Sequence, residues 1–146
     1  MIDIYGQQRK DSWSMSTGSK KVFHCHAELA IDIIGGKWKP LILHHIGKSG
    51  VVRYGELKRK IPTINERVLT RQLRELEEHH LIYRKVYEGS VLKVEYSPTE
   101  IGERIIPALD VLGDFGTWYN EQFNYGEIDF EDEYDEETMM QDEGTN

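Results

Sequence analysis

Residues 53–80 read RYGELKRKIPTINERVLTRQLRELEEHH and contain two helical patterns joined by a short turn. The first pattern, Tyr54–Lys60, is followed by the turn Pro62-Thr63-Ile64, where proline disfavours continuation of the helix. Asn65 is a good N-cap because its side-chain oxygen can accept backbone N–H groups, and it precedes a second helix over Glu66–His80. A short helix, a tight turn and a longer helix are typical of a helix-turn-helix.

The second of these helices has two sides of opposite character. At 100° per residue, its buried stripe is predicted to consist of three leucines, Leu69, Leu73 and Leu76. The opposite side carries three arginines, Arg67, Arg71 and Arg74. Arginine pairs bidentately with guanine edges and with phosphates, and an α-helix fits the major groove. The alternative is an ordinary solvated face with ion pairs such as Arg71–Glu75.

The net charge of −8 is unevenly distributed. Residues 125–146 hold ten acids and no base, which leaves 18 bases against 16 acids in residues 1–124. Between residues 53 and 74, seven bases face only two acids, Glu56 and Glu66. A local basic patch beside an acidic tail is compatible with binding to nucleic acid.

The remaining patterns predict a mainly α fold with a small β-hairpin wing. Helices are expected over Ala27–Ile34, over Lys37–Lys48 and from Thr99 to Phe123, the last one kinked at Pro107. Two β-branched and aromatic runs, Ile82–Tyr87 and Leu92–Ser97, form a hairpin signal. The order predicts a winged helix-turn-helix domain whose C-terminal helix, with its wide apolar arc, serves for dimerisation.

Three regions follow from the composition. Residues 1–21 are interpreted as a flexible N-terminal arm, residues 22–124 as the winged helix-turn-helix domain with its dimerisation helix, and residues 125–146 as a disordered acidic tail. No signal peptide or membrane span is recognisable, so we expect a cytoplasmic protein that does not contact membranes. Phosphate loops, nucleophile motifs and metal-ligand spacings are also missing, so neither an enzyme nor a metal or other cofactor is expected.

DNA contacts are assigned to nine residues of this domain: Arg53, Asn65, Arg67, Thr70, Arg71, Arg74, Arg84, Lys85 and Lys93. The last three lie on or near the hairpin, where a wing would reach the adjacent phosphate backbone. Lysines on a hairpin can also serve only to block pairing at a sheet edge, so that interpretation stays open.

Several blocks of the sequence, in this order, resemble the HxlR-type regulators, which are winged-helix transcription factors related to the MarR group. They are Ile34–Trp38, Arg53–Leu57, Leu69–Glu77 and Val94–Gly102. The resemblance extends from about Cys25 to Gly116. It implies a transcriptional regulator that binds double-stranded DNA as a homodimer on a palindromic operator. The runner-up is a winged-helix module that binds protein and has no specific affinity for DNA.

Cys25 is the only cysteine and precedes the first helix. The resembling family often keeps a cysteine here, and some members use it to sense oxidants or electrophiles, so Cys25 is a candidate redox sensor. The helix dipole and nearby cations, Lys20 and Lys21 among them, would stabilise a thiolate at this position. The alternative is a small buried residue, a common role for cysteine.

Overall fold

The computed structural model describes residues 20–128 and has the mainly α, winged helix-turn-helix architecture predicted from the sequence. Its helices are α1 His26–Ile34, α2 Lys39–Ser49, α3 Tyr54–Lys60, α4 Glu66–Glu78 and α5 Glu100–Phe123. Its strands are β1 Val52–Arg53, β2 Ile82–Tyr87 and β3 Lys93–Pro98. Most of the predicted arm and acidic tail, residues 1–19 and 129–146, lies outside the described residues.

The predicted helix caps are present. The Asn65 side chain accepts hydrogen bonds from the backbone N–H groups of Arg67 at 2.8 Å and Val68 at 3.3 Å, which satisfies two donors at the start of α4. The Thr99 hydroxyl accepts the N–H of Gly102 at 2.9 Å at the start of α5. Helix α4 ends at Glu78 instead of His80, because His80 adopts a left-handed conformation with φ of 60°.

The core forms where the leucine stripe of α4 meets the apolar sides of α2 and α3. Leu69, Leu73 and Leu76 are each at most 2% exposed, as predicted. They belong to one cluster with Ile42 and Ile46 of α2, among others. Burial of each such side chain stabilises the fold by about 1.5–3 kcal/mol, so this stripe fixes which side of α4 faces solvent.

The wing is a three-stranded antiparallel sheet in the order β1-β3-β2. The predicted hairpin of β2 and β3 is present, and β3 begins at Lys93, one residue later than expected. The sequence prediction omitted β1, a two-residue strand whose Val52 pairs with Tyr96 and whose Arg53 pairs with Glu95. So short a strand shows no alternation, and only its pairing with β3 defines it.

Helix α5 has 24 residues and continues through Pro107. Its start lies so close to the loop after α4 that a Cβ on Gly102 would be 2.0 Å from the Leu81 carbonyl oxygen, so only glycine fits. Ile105 and Leu109 pack against the core, whereas every residue from Asp110 to Tyr119 is exposed. The second half of α5 therefore extends beyond the domain it belongs to.

Candidate nucleic-acid interface

The two helices of the helix-turn-helix are held together by a tyrosine that the sequence prediction missed. The Tyr54 hydroxyl, at the start of α3, donates to the Glu66 carbonyl oxygen at 3.2 Å. It also lies 3.2 Å from the hydroxyl oxygen of Thr70, a predicted DNA contact. Thr70 is therefore an exposed residue of α4 whose side chain is positioned by α3.

The turn between these helices is fixed from both sides. Ile61 and Ile64 are buried, at 2% and 1% exposure, so the turn is anchored in the core. The Lys58 ammonium of α3 donates to the Ile64 carbonyl oxygen, which ties one basic side chain of the patch to the turn itself. A turn held in this way sets the angle at which α4 emerges.

Glu75 of α4 has a different partner from the one considered in the sequence. Its carboxylate lies 2.8 Å from the ammonium of Lys39, whose side chain is only 9% exposed. The hydrogen bond from Lys39, more than its charge, lowers the pKa of Glu75. Among residues 20–128, no ion pair engages the guanidinium groups of Arg67, Arg71 or Arg74. These three exposed arginines are thus available to an external ligand.

A cleft of about 920 Å³ opens between α3, α4 and the wing. Five of the nine predicted DNA contacts line it, namely Arg53, Thr70, Arg74, Arg84 and Lys93. The other four, Asn65, Arg67, Arg71 and Lys85, are exposed but lie outside its lining. The cleft also includes Arg59 of α3, one of the seven bases between residues 53 and 74 and not among the predicted DNA contacts. The structure thus brings basic residues of α3, α4 and the three strands to one concave surface.

The two faces of the hairpin carry different chemistry. Arg84 pairs across the strands with Tyr96, and both line the cleft. Burial raises the pKa of the Tyr96 phenol, and a hydrogen bond with the Arg84 guanidinium opposes that shift. Because side chains alternate along a strand, Lys85 lies on the opposite face from Arg84. The predicted wing residues therefore do not form one patch.

Lys93 borders the cleft, but its ammonium lies on that opposite face, in a cluster with Lys85, Tyr87 and Glu95. The ammonium groups of Lys85 and Lys93 lie 4.7 and 4.6 Å from the centroid of the Tyr87 ring. Lys93 forms an ion pair with Glu95 at 2.9 Å, and the Tyr87 hydroxyl donates to the same carboxylate at 3.0 Å. The bond from Lys93, followed by that from Tyr87, lowers the pKa of Glu95. This cluster stiffens the hairpin and offsets part of its positive charge.

Cys25 is exposed, and it is the N-cap of α1. Its Sγ accepts the backbone N–H of Glu28 at 3.4 Å. The burial considered as an alternative is therefore absent in the single chain. Lys21, a suggested neighbour of the thiol, forms an ion pair with Asp32 at 3.0 Å instead.

Within residues 20–128, no helix is long and apolar enough to cross a membrane. The same part of the chain holds no cluster of three or more histidine, cysteine, aspartate or glutamate side chains able to bind a metal ion.

A helix-turn-helix followed by a basic wing defines a winged-helix DNA-binding protein. More narrowly, the chain belongs to the HxlR-like helix-turn-helix family, whose family model matches residues 33–124. The family and its named relatives are transcriptional regulators and not enzymes, which favours this class over the protein-binding module.

Relatives of known sequence or structure agree with this assignment. An uncharacterised HTH-type transcriptional regulator of Methanothermobacter thermautotrophicus is 48% identical over 104 residues, which cover 70% of this chain and 79% of the relative. The regulator YkvN of Bacillus subtilis is 45% identical over 111 residues, or 76% and 92% of the two chains. The reduced form of the redox regulator HypR is 37% identical, with a TM-score of 0.64, over 68% of this chain and 98% of that one.

Proposed function

We propose that the protein is a homodimeric transcriptional regulator that binds a palindromic operator through α4 and the wing and responds to oxidants or electrophiles through Cys25. The observation that carries the DNA-binding geometry is the cleft between α4 and the wing, where Arg74 and Arg84 approach one concave surface from two elements. Arg67 and Arg71 extend the cationic surface along the exposed side of α4. In this arrangement α4 contacts base edges in the major groove, and the wing contacts phosphates.

The proposed dimer forms through α5. Its second half presents five large apolar side chains, each at least 52% exposed: Val111, Leu112, Phe115, Trp118 and Phe123. Neighbouring aromatic rings there lie 4.7–6.0 Å apart, so they form a continuous surface. Contiguous apolar surface of this kind marks an interaction site. A second copy of α5 is its simplest partner, and two-fold symmetry then places two α4 helices on two half-sites.

Redox control through Cys25 is supported by three observations. The thiol is exposed, it lies at the positive end of α1, and its sulfur accepts a backbone N–H. Leu29 and Ile31 of α1 are 41% and 63% exposed, which suits a helix that contacts a second subunit. The similar regulator HypR has been solved in oxidised and reduced forms.

Selection of binding sites from a library of random DNA duplexes tests the proposal. We expect the full-length protein to enrich a palindrome whose half-sites are separated by about one helical turn, close to 34 Å. Binding to the enriched duplex should withstand competitor DNA and weaken steeply as salt rises, because released counterions drive phosphate contacts. Enrichment of no sequence would contradict a specific operator, and enrichment of a single unrepeated half-site would contradict the symmetric dimer.

The variant Arg74→Ala, Arg84→Ala provides the matched control for that selection. Both side chains line the cleft and both residues are exposed, so their loss should leave the fold intact. The double variant should no longer enrich the operator sequence, and it should retain the helical circular dichroism spectrum of the unmodified protein. Normal enrichment by this variant would mean that DNA binds elsewhere on the molecule.

A further inference from the structure

Basic and acidic residues are concentrated in different parts of this chain. After Arg104 the sequence contains no lysine or arginine, and residues 129–146 hold nine aspartates and glutamates. We propose that this acidic segment, residues 129–146, docks in the basic cleft between α4 and the wing and competes there with DNA phosphates. The proposal rests on the DNA-binding role proposed above and adds an internal competitor to it.

The cleft has a positive charge that the described residues do not neutralise. Four arginines line it, Arg53, Arg59, Arg74 and Arg84, against two acids, Glu56 and Glu77. All four arginines are exposed, and within residues 20–128 none of them forms an ion pair with a carboxylate. Lys93 also borders the cleft, but its ammonium is paired with Glu95 on the opposite face of the hairpin. A polyanion is therefore the complementary ligand, and the chain carries one.

The surface from which the acidic segment departs would repel it. The last described residues follow α5, where Gly126 is held by two hydrogen bonds to the Asn120 side chain. The groove beside this helix end is lined by three acids, Asp110, Asp114 and Glu121, and by no lysine or arginine. Like charges at short range disfavour docking there, so the electrostatic gradient directs the segment towards the basic cleft.

The segment is long enough to reach the cleft. Eighteen residues in extended form span at most about 60 Å. A domain of about 110 residues has a diameter of only about 35 Å. Tethering raises the effective concentration of the segment to the order of millimolar, which makes even a weak contact a competitor for DNA. Because the contact is electrostatic, salt above about 0.1 M should weaken it.

Binding of a non-specific 20-base-pair duplex tests the competition in the full-length protein. In one variant, the nine carboxylates of residues 129–146 are replaced by their amides, Asp→Asn and Glu→Gln. Fluorescence anisotropy at low salt should show that this variant binds the duplex about tenfold more tightly than the unmodified chain, with a smaller difference at high salt. Equal affinities at low salt would overturn the proposal.

A second variant serves as the matched control. It keeps all nine carboxylates but scrambles the order of residues 129–146. Charge-driven docking predicts that it binds the duplex as the unmodified chain does. If scrambling raised the affinity as much as neutralisation, docking by charge would be refuted.

Carbodiimide cross-linking tests docking without relying on DNA binding. The reagent joins a carboxylate to a lysine amine with loss of water, and mass spectrometry locates the products. We expect cross-links from residues 129–146 to Lys93, which borders the cleft and whose side chain is 34% exposed, in preference to Lys37 and Lys48, which do not border it. Excess duplex or high salt should suppress them.

The two readouts distinguish failure of docking from failure of DNA binding. Cross-links spread evenly over lysines, or absent altogether, would refute docking. If Lys93 cross-links form but neither protein binds any duplex, docking stands and the DNA-binding role fails.

Discussion

Lys39 Nζ lies 2.8 Å from Glu75 Oε2, and this ion pair joins the start of α2 to the C-terminal half of α4. The Lys39 side chain is 9% exposed and that of Glu75 is 37% exposed, so the pair lies at the edge of the core. An ammonium that has lost its water needs such a partner, because an unpaired buried charge is costly. The pair therefore holds α4 in a fixed rotation relative to α2.

The first prediction concerns the stability that this pair provides. Glu75→Gln should lower the free energy of unfolding by about 1–3 kcal/mol, because it leaves the Lys39 ammonium buried beside a neutral amide. The control Glu78→Gln, on the exposed end of the same helix, should change it by less than about 0.5 kcal/mol. Urea unfolding measures both. Equal effects of the two substitutions would mean that the pair contributes nothing.

The second prediction concerns how the stability provided by the Lys39–Glu75 pair depends on pH. The hydrogen bond from Lys39 lowers the pKa of Glu75 below its ordinary value in the folded state only. The stabilisation by the Lys39–Glu75 pair is therefore complete above the ordinary carboxyl pKa of about 4.3. It is lost as the pH falls through the lowered pKa that Glu75 has in the folded protein. The stability difference between the unmodified protein and Glu75→Gln should stay constant from about pH 7 to pH 5 and shrink below about pH 4. A difference that grew towards acid would contradict this assignment.

Local patterns in the sequence predicted much of this fold, and contacts between distant residues account for what they missed. Asn65 caps α4 and Leu69 faces the core because capping and helical period depend on neighbours along the chain. Strand β1 and the Lys39–Glu75 pair depend on residues far apart in sequence. A lysine in the first turn of α2 gives no signal in the sequence of its distant partner.

In the candidate site, too, local patterns predicted some features and contacts between distant residues determined the others. The arginine side of α4 followed from helical period alone, and Arg67, Arg71 and Arg74 are all exposed. The sequence did not show that Arg84 shares a cleft with Arg74, because the position of the wing against α4 is set by the packing of α2, α3 and the sheet. Strand alternation would have separated Arg84 from Lys85, had it been applied to the hairpin.

The third prediction distinguishes base contacts from phosphate contacts. Arg71→Ala should weaken binding of the selected operator by about 1–3 kcal/mol and relax specificity at one base pair, if this side chain contacts a base edge. Lys85→Ala, on the outer face of the wing, should weaken all duplexes about equally. Anisotropy titrations against the operator and its single-base variants measure both effects. Unchanged binding by both folded variants would refute the assignment of DNA contacts to Arg71 of α4 and Lys85 of the wing.

The fourth prediction concerns the dimer. Leu112 is 60% exposed in the single chain, so Leu112→Asp should leave each subunit folded while it places a charge in the proposed seam between α5 helices. Sedimentation velocity should then detect monomers, and operator affinity should fall because one half-site offers half the contacts. The control Val91→Asp, at a 77% exposed position of the wing, should remain dimeric. A stable dimer of Leu112→Asp would place the interface elsewhere.

The last prediction concerns Cys25. Diamide, an oxidant that takes up the two hydrogens released when two thiols form a disulfide, should change the operator affinity of the unmodified protein. The Cys25→Ser variant should bind the operator, and diamide should not change its affinity. Because the chain has one cysteine, the product is either a disulfide between two subunits or a mixed disulfide between Cys25 and a small thiol. A non-reducing gel and the intact mass distinguish these products, and a reductant should restore the original affinity.

The physical reason for that response is geometric. Cys25 caps α1, and α1 leads through Gly35 and Gly36 into α2, whose Lys39 holds Glu75 of α4. A covalent bond at Cys25 that displaced α1 would act on this connection and change the separation of the two α4 helices in the proposed dimer, which has to match about 34 Å of DNA. Glu75→Gln should therefore weaken the effect of diamide on affinity while leaving disulfide formation unchanged. If the exposed thiol of the folded dimer resisted labelling, Cys25 would have only its capping role.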